Sequence, residues 1–191
     1  MSAHQHSSAL AALPTLAGGA TVCALAPQHL PGLLAVQEAC YGAGLVESAE
    51  VFTRRLTSPA NCSLVLEYAG QVVAYLAAYA SERHKVTPLQ GDFEAVAAPG
   101  RPDTLYLHDM AVLPQCAGRG LARALLQPLW SQAAAQGLRY TALVSVQGSQ
   151  AYWERQGYAA QTLADAAQHA CLASYGAGAI YMLRHLDAST P

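Results

Sequence analysis

The chain contains a short glycine-rich segment whose residue types and spacing could hold a phosphate group. This segment follows an apolar run over 105–113 and consists of Gln115, Cys116, Ala117, Gly118, Arg119 and Gly120. A helical pattern begins near its end, and the first N–H groups of a helix lack partners and carry the positive end of the helix dipole. Glycine lets such a backbone approach a ligand closely. The segment therefore predicts a main-chain cradle for a pyrophosphate.

Two other phosphate-binding patterns do not fit this segment. A dinucleotide fingerprint requires a third glycine at the position where this chain has Arg123. A nucleoside triphosphate loop requires Lys-Ser or Lys-Thr after its last glycine, and neither pair follows Gly120. The remaining pattern is Gln-x-x-Gly-x-Gly after a β-strand.

That pattern resembles motif A of the GNAT N-acetyltransferase superfamily, whose loop holds the pyrophosphate of acetyl-CoA. Residues 147–158, a short helix with Trp153 followed by a Gly-Tyr pair, resemble motif B of the same superfamily. A predicted strand over 140–146 separates the two motifs, as the superfamily requires. The resemblance extends over 21–186 in the order of elements and over 105–158 in motif detail. It implies a transferase that uses acetyl-CoA as acyl donor.

The elements that must position these motifs follow from hydrophobic periodicity and from turn residues. Strands are predicted over 21–26, 63–68, 72–79, 105–113, 140–146 and 179–186, and helices over 33–41, 48–56, 118–136 and 147–155. Two long segments, 81–103 and 165–178, show little pattern, and connections of this length are usually functional or disordered. Residues 1–20 are predicted to form a flexible tail before a single domain over 21–191.

The fold class is α/β of the α+β kind, and the resemblance implies a mixed, mostly antiparallel sheet with helices on both faces. It also implies that two central strands splay apart and admit the cofactor arm. The main chain of Met110 and Val112 would then pair with pantetheine. The Met110 N–H would face the thioester oxygen and stabilise an oxyanion there. As plain structure, both residues would be strand residues of the core.

The resemblance implies further cofactor contacts around the cradle. Gln147 occupies a position where the superfamily commonly carries an asparagine that contacts pantetheine, and a helix cap is the alternative use. Trp153 belongs to motif B beside the cofactor. Arg119 and Arg123 would pair with cofactor phosphates, or they are solvated arginines on a helix.

The transfer of an acetyl group to an amine needs a general base and a general acid. His108 precedes Asp109 on the strand that leads into the cradle, where related amine acetyltransferases often carry a carboxylate. The ordinary pKa of histidine, about 6.5, suits a base near neutral pH. Neighbouring strand residues point to opposite faces, so both can face the substrate only if a bulge intervenes. The alternative is a histidine packed in the sheet.

The general acid departs from the superfamily pattern. The motif B position that commonly supplies a tyrosine is Trp153, and indole is no acid at neutral pH. Tyr152 is adjacent but turned by about 100° on a helix. Tyr175, which precedes the last predicted strand, is the leading candidate donor, and water is the alternative. The acceptor site of the superfamily is expected near Glu38, Tyr41 and Glu47, although Glu47 before Ser48 is equally typical of a helix start.

The composition limits the function classes. The 191 residues suit one core, and 53% of them are apolar. Only 12% are charged, which makes self-association, such as a homodimer, plausible. A net charge of -2 without a Lys/Arg cluster predicts no nucleic-acid or membrane partner. Five cysteines without a C-x-x-C pair predict reduced thiols in a cytoplasmic protein and no zinc site.

The sequence thus favours an N-acetyltransferase that moves the acetyl group of acetyl-CoA to a primary amine by direct transfer in a ternary complex. The acceptor is expected to be a small molecule or a peptide amine. A second hypothesis is a sensor or scaffold domain that binds acetyl-CoA or CoA without turnover, which Trp153 suggests. A third is a transferase for a longer acyl-CoA, favoured if the pocket behind Met110 is roomy.

Overall fold

One mixed sheet of eight strands forms the centre of the molecule. The computed structural model describes residues 15–16, 19–41, 44–97 and 100–186. The strands are β1 Thr15–Leu16, β2 Ala20–Ala24, β3 Leu64–Tyr68, β4 Gln71–Ser81, β5 Thr104–Val112, β6 Tyr140–Ser145, β7 Ala159–Ala160 and β8 Ile180–His185. Their order across the sheet is β1-β2-β3-β4-β5-β6-β8-β7, and β5 with β6 is the one parallel pair in the described ranges.

Five α-helices cover both faces of this sheet. They are α1 Leu30–Cys40, α2 Ala49–Thr57, α3 Leu121–Ala135, α4 Gln150–Arg155 and α5 Ala166–Ala173. Apolar residues of α3 and α4 pack on one face of the sheet, and those of α1 and α2 pack on the other. This architecture confirms the predicted fold class. No helix in the described part of the chain is both long and apolar enough to cross a membrane.

The local sequence explains most element boundaries. Ser48 caps α2, as predicted, because its hydroxyl accepts the N–H of Val51 at 3.4 Å. Ala69 and Gly70 connect β3 to β4 with φ values of 49° and 75°, which makes a tight hairpin turn. The hairpin and the capped helix were both readable from turn and capping residues.

Two segments differ from the prediction. Residues 165–178, which show little pattern, contain the helix α5, and Asp165 caps it by accepting the N–H of Ala167 at 2.8 Å. Its shortness and alanine content hide the helical period in the sequence. At the other end, β1 pairs with β2, so the sheet begins within the segment predicted to be a tail. Residues 1–14 and 17–18 lie outside the described residues.

The central strands splay apart as the fold class implies. β5 pairs with β6 only from Thr104 to Leu107, opposite Tyr140 to Leu143. Beyond Leu107, β5 continues to Val112 with β4 as its only strand partner in the described ranges. One edge of β5 is therefore open over five residues, and this opening positions the site described below.

A β-bulge lies where the splay begins. Ala77 pairs with Asp109 and Ala78 pairs with Leu107, so His108 is the extra residue on β5. A bulge interrupts the alternation of side chains along a strand. His108 and Asp109 consequently both line the same cleft, although they are neighbours in sequence.

Candidate active site

A cleft of about 310 Å³ opens between the splayed strands. Its walls come from the end of α1, from β5 and β6, from the turn before α4, and from the residues after α5. Cleft-lining residues on which the site depends are Cys40, Tyr41, Glu47, His108, Asp109, Met110, Val112, Gln147, Tyr152, Trp153 and Tyr175. The tertiary structure therefore brings together residues that the sequence places in four separate segments.

The cradle lies beside this cleft, between β5 and α3. Within it, Cys116 and Ala117 donate their N–H groups to Leu113 and Pro114 at 2.8 and 3.1 Å, so these two donors are engaged by a short 3-10 turn. In the described ranges, the N–H groups of residues 118–120 have no backbone partner. Of the N–H groups from 115 to 120 that are predicted to face a phosphate, those of Cys116 and Ala117 are therefore already used within the protein.

Gly118 and Gly120 both have left-handed backbone conformations. Their φ values are 75° and 77°, and Gly120 is the N-cap residue of α3. A Cβ at either position would meet no atom within 4 Å, so conformation, and not crowding, requires glycine here. The open space above them is the space that a phosphate needs.

The main chain of Met110 and Val112 turns toward the open edge of β5. Leu113 donates its N–H to the Val73 carbonyl of β4 at 2.9 Å. Bonding alternates along an antiparallel pair, so Val112 and Met110, opposite Ala74 and Leu76, direct their N–H groups away from β4. This places both N–H groups where the resemblance puts pantetheine and the thioester.

The carbonyls of these two residues already have partners from α1 and the residue after it. The Tyr41 hydroxyl lies 2.9 Å from the Met110 carbonyl oxygen, and the Cys40 thiol donates to the Val112 carbonyl at 3.2 Å. Burial, and then the nearby Asp109, raises the pKa of the Cys40 thiol. Cys40 is thus a neutral thiol in the cleft wall.

His108 is held between two other side chains. Its Nε2 lies 3.0 and 3.1 Å from the carboxylate oxygens of Glu47, and its Nδ1 lies 3.2 Å from the Tyr175 hydroxyl. A carboxylate only accepts hydrogen bonds, so Nε2 carries a proton and Nδ1 is left to accept or donate. The His108 side chain is only 1% exposed. Its hydrogen-bond partner toward the cleft is the Tyr175 hydroxyl.

Glu47 is not a free carboxylate for an acceptor amine. Arg55 binds both of its oxygens at 2.5 and 2.6 Å, and Gln90 donates a backbone N–H to it at 2.8 Å. Burial alone would raise the pKa of Glu47, but His108 and Arg55 outweigh burial and hold that pKa far below its ordinary value. Glu47 therefore orients the imidazole, a role different from the substrate contact expected of it.

Asp109 has a different environment. Its oxygens accept hydrogen bonds from the hydroxyls of Tyr41, at 2.6 Å, and of Tyr75. Within the described residues no lysine or arginine forms an ion pair with it. Burial raises the pKa of Asp109 above its ordinary value, although both tyrosines and His108 act to lower it. It is a carboxylate in the cleft without a cationic partner.

Tyr175 lies one residue beyond the cap of α5 and reaches back into the cleft. Its hydroxyl donates to the Thr87 carbonyl at 2.7 Å, which anchors it, so its surroundings differ from the flexible loop expected from the sequence. Burial, and then the charge of Glu47, raises the pKa of Tyr175 strongly. The same hydroxyl faces His108, so it is engaged on two sides.

The connection between β4 and β5 contributes Leu89 to the wall of the cleft. Side chains from α2, α5 and their neighbours hold its backbone: Arg55 donates to the Gly91 carbonyl, Gln168 accepts from Val86, and Ser174 accepts from Leu89. The segment lacks regular structure because its polar groups are satisfied by these side chains and not by a ladder. No sequence pattern reveals such pairing.

The remaining residues predicted for the site differ in burial and in whether they line the cleft. Trp153 is 7% exposed and packs edge-on against Tyr158, at 5.4 Å between ring centroids, while Tyr152 is half-buried beside it. Gln147 is exposed in the turn before α4 and is not its cap, since Ser149 is. Glu38, on α1, is exposed and does not line the cleft.

The two arginines near the cradle are both exposed. The Arg123 guanidinium lies 3.0 Å from the side-chain amide of Gln127, whose oxygen accepts from it in the orientation that satisfies both groups. Arg119 lies within the cradle itself. Of the two, Arg119 is the one whose position leaves it available to a phosphate.

Cys23, His29 and Glu67 come close enough together to share a cation, away from the cleft. However, His29 Nδ1 accepts the Ala26 N–H at 3.0 Å, so the neutral ring carries its proton on Nε2, the nitrogen that faces Glu67. A metal would have to displace that proton. The cluster is accounted for by a hydrogen-bonded histidine.

Sequence reasoning missed three residues of this site. Arg55, Tyr75 and Thr87 hold Glu47, Asp109 and Tyr175 respectively. The one available signal was Arg55, a charged residue on the apolar face of α2. Tyr75 and Thr87 look like ordinary strand and loop residues.

Comparisons with known proteins agree with this geometry. Residues 31–158 match the model of the acetyltransferase (GNAT) family. No curated protein matches the sequence. Among solved structures, the ribosomal-protein-S18-alanine N-acetyltransferase from Escherichia coli is similar with a TM-score of 0.64 and 18% identity, over 90% of this chain and 96% of that one.

Two further structures share the fold. A GNAT family acetyltransferase from Brucella melitensis in complex with acetyl-CoA has a TM-score of 0.56 and 19% identity, with 91% and 92% of the two chains covered. The GphF GNAT-like decarboxylase in complex with isobutyryl-CoA has a TM-score of 0.66 and 17% identity, with 87% and 99% covered. From the family match, which spans most of the chain and both sides of the cleft, it follows that this protein belongs to the acetyltransferase (GNAT) family.

Proposed function

We propose that the protein is an acetyl-CoA-dependent N-acetyltransferase that transfers the acetyl group directly to a primary amine. The observation that carries this proposal is one cleft in which the open edge of β5 meets His108, Asp109 and Tyr175, and the cradle follows that strand edge in the chain. The unpaired N–H groups of Met110 and Val112 lie between the cradle and His108. A donor seated on the cradle and on the open edge of β5 would present its thioester to His108 and Asp109.

Acetyl-CoA, as donor, supplies the activated acyl group. The N–H groups of residues 118–120 would hold its pyrophosphate, with Arg119 beside them, and Gln147 and Trp153 would line its path. The Met110 N–H would donate to the thioester oxygen as negative charge develops on it. One such preorganised donor is typically worth about 10²- to 10³-fold in rate.

His108 and Tyr175 would act together as the base. As the amine attacks, the Tyr175 hydroxyl turns from the Thr87 carbonyl to His108 Nδ1, and the amine proton passes to the Tyr175 oxygen while the Tyr175 proton passes to Nδ1. The resulting imidazolium is fully bonded, because Nε2–H faces Glu47 and Nδ1–H faces the Tyr175 oxygen, whose own proton points to Thr87. Because burial raises the pKa of Tyr175, its hydroxyl relays a proton without becoming an anion.

The acceptor is proposed to be a small amine or a peptide amine. The cleft lining includes the side chains of Tyr41, Leu45, Leu89 and Tyr175 together with Asp109. A carboxylate without a cationic partner favours a cationic amine. The name of the Escherichia coli neighbour, which specifies an alanine of a ribosomal protein, makes a peptide N-terminus one natural member of the test panel.

A longer acyl group is a second candidate. Leu107, Leu143, Val144 and Val146 line the cleft around Met110, so apolar side chains surround the expected thioester. A neighbour with the same fold is described in complex with isobutyryl-CoA. Apolar walls favour added methyl groups by about 0.8 kcal/mol for each buried CH₂. The comparison of acetyl-, propionyl- and isobutyryl-CoA turnover decides between the two donors.

The decisive experiment is free-thiol release from acetyl-CoA with a panel of small amines, polyamines, lysine peptides and peptides with a free N-terminus. We expect turnover with at least one class. Tight acetyl-CoA binding in calorimetry with no turnover across the panel would instead support the sensor hypothesis, which Trp153 suggests. A cytoplasmic location is proposed on the five free cysteines.

A further inference from the structure

The proposed reaction requires a proton for the leaving thiolate. Motif B does not identify the residue that supplies this proton, because Trp153 stands at the position of the usual tyrosine. Tyr175 is engaged by Thr87 and faces His108. Tyr152 is half-buried against Trp153, with 5.0 Å between ring centroids. The Tyr41 hydroxyl is the third phenol of the cleft, and its surroundings are different.

Tyr41 has two acceptors for one proton. Its oxygen lies 2.6 Å from Asp109 Oδ1 and 2.9 Å from the Met110 carbonyl oxygen. A phenol has a single hydrogen, so it can satisfy only one of them at a time. Which acceptor it satisfies depends on whether Asp109 carries a proton.

The two protonation states of Asp109 each complete a set of hydrogen bonds. When Asp109 is ionised, Tyr41 and Tyr75 both donate to it. When Oδ1 is protonated, it can donate to the Tyr41 oxygen, and Tyr41 then donates to the Met110 carbonyl. The protonated state loses no bond and gains one. Both tyrosine hydroxyls and the Asp109 carboxyl are therefore hydrogen-bonded in either protonation state, and only the Met110 carbonyl gains or loses its Tyr41 partner.

Charges around Asp109 agree with this role. The titratable groups that face it are Tyr41 and Cys40 from the end of α1, Tyr75 from β4, His108 on β5, Glu47 before α2 and Tyr175 after α5. Glu47 is neutralised by Arg55, but Asp109 has no such partner in the described chain. Burial raises its pKa, so protonation is easier for Asp109 than for Glu47.

We propose that Tyr41, supplied with a proton by Asp109, is the donor to the leaving thiolate. This inference rests on the proposed acetyl transfer. Met110 links the two groups, because its N–H would face the thioester in the proposed function and its carbonyl lies 2.9 Å from the Tyr41 hydroxyl. Tyr41 is therefore the phenol that touches the residue at the reacting carbonyl.

The protons balance over one turnover. An ammonium acceptor must lose two protons to become the amide, and the thiolate must gain one. Asp109 takes the first proton when the ammonium enters, and His108 takes the second through Tyr175 during attack. As the C–S bond breaks, the Tyr41 proton passes to sulfur while Asp109 returns a proton to Tyr41. The His108 proton is released to water.

The test is Tyr41→Phe, with acetyl-CoA and with the acetyl thioester of 4-nitrothiophenol, whose thiolate leaves without being protonated. We expect kcat with acetyl-CoA to fall by about 10²-fold, the usual contribution of a positioned acid. With the activated thioester the variant should match the parent.

Two further variants keep the test decisive. Tyr75→Phe removes the other hydroxyl on Asp109 and leaves Tyr41 in place, so its loss in kcat should be smaller than that of Tyr41→Phe and should be the same with both donors. Asp109→Asn removes the proton store and also the acceptor of the first ammonium proton, so the activated thioester should recover only part of its loss, in contrast to Tyr41→Phe. Binding of acetyl-CoA in calorimetry establishes that each variant is folded.

Parental kcat in Tyr41→Phe, or an equal loss with both donors, would overturn the assignment while leaving acetyl transfer intact. A parent protein that releases thiol with no amine would instead overturn the proposed function, and this inference with it. A loss in Tyr75→Phe as large as that in Tyr41→Phe would reduce both residues to supports for Asp109.

Discussion

His108 Nε2 lies 3.0 and 3.1 Å from the two carboxylate oxygens of Glu47, which is 61 residues earlier in the chain. The pair joins the bulge of β5 to the residue before the cap of α2. Because Arg55 also binds Glu47, the imidazole is held by a carboxylate that cannot turn away. The imidazole proposed as the base is therefore oriented by the Glu47–Arg55 ion pair.

The cradle should lose acetyl-CoA when Gly120 is replaced by glutamate. The side chain would place negative charge where the pyrophosphate binds, and a left-handed φ disfavours any Cβ. Calorimetry with acetyl-CoA measures the effect. Gly137→Ala, at the other end of α3, imposes the same kind of backbone strain with φ of 82° and should leave affinity near the parental value. Parental affinity in Gly120→Glu would move the phosphate site elsewhere.

His108→Gln should lower kcat/KM by about 10²-fold or more, because glutamine cannot accept the amine proton. Acetyl-CoA affinity should remain close to that of the parent, since His108 lies beyond the thioester. The measurement is kcat/KM as a function of pH. The fall of kcat/KM at low pH that comes from protonation of the base should be absent in the variant. An unchanged rate and pH profile would make His108 a structural residue.

Tyr175→Phe should lower kcat by about 10²-fold, because it cuts the path from the amine to His108. Unlike Tyr41→Phe, it should show no recovery with an activated thioester. Ser174→Ala is the matched control, since it also frees the connection between β4 and β5 by removing the acceptor of the Leu89 N–H at 2.9 Å. Equal losses in the two variants would mean that Tyr175 only anchors that connection.

Arg55→Met should destabilise the fold by about 3 to 5 kcal/mol, because it leaves the buried Glu47 carboxylate without its cation. The neighbouring Arg54 pairs with Asp92 on the surface, with side chains 51% and 54% exposed. Arg54→Met should therefore cost no more than about 1 kcal/mol. Urea unfolding measures both. Similar losses in the two variants would contradict the importance of the buried pair.

Stability should fall in acid because the folded-state pKa of Glu47 is depressed. A depressed carboxyl pKa contributes stability that is complete above the unfolded pKa, about 4.3, and declines as the pH falls below it. The free energy of unfolding of the parent should thus decrease from about pH 5 downward. In Glu47→Gln this dependence should be shallower, although the variant is less stable at neutral pH.

The sequence alone was sufficient for features that depend on neighbours along the chain. The cradle glycines, the Ser48 cap and the strand patterns are local, and backbone conformation and hydrophobic period express them directly. The family motifs combine such local signals at fixed spacing. Fold class and the expected splay followed from them, because a strand, a tight turn and a helix start need no distant partner.

The tertiary structure decided how the acid-base residues are used. The bulge at His108 depends on how β5 registers with β4, so only strand pairing could show that His108 and Asp109 share one cleft. The partners of these two residues come from α1, from β4 and from the residues around α2 and α5. A side chain's charge state depends on what surrounds it in space, and the sequence does not specify distances between segments far apart in the chain. For this reason Glu47 emerged as a support for His108, and Tyr41 and Asp109 emerged as a linked pair, only once the chain was folded.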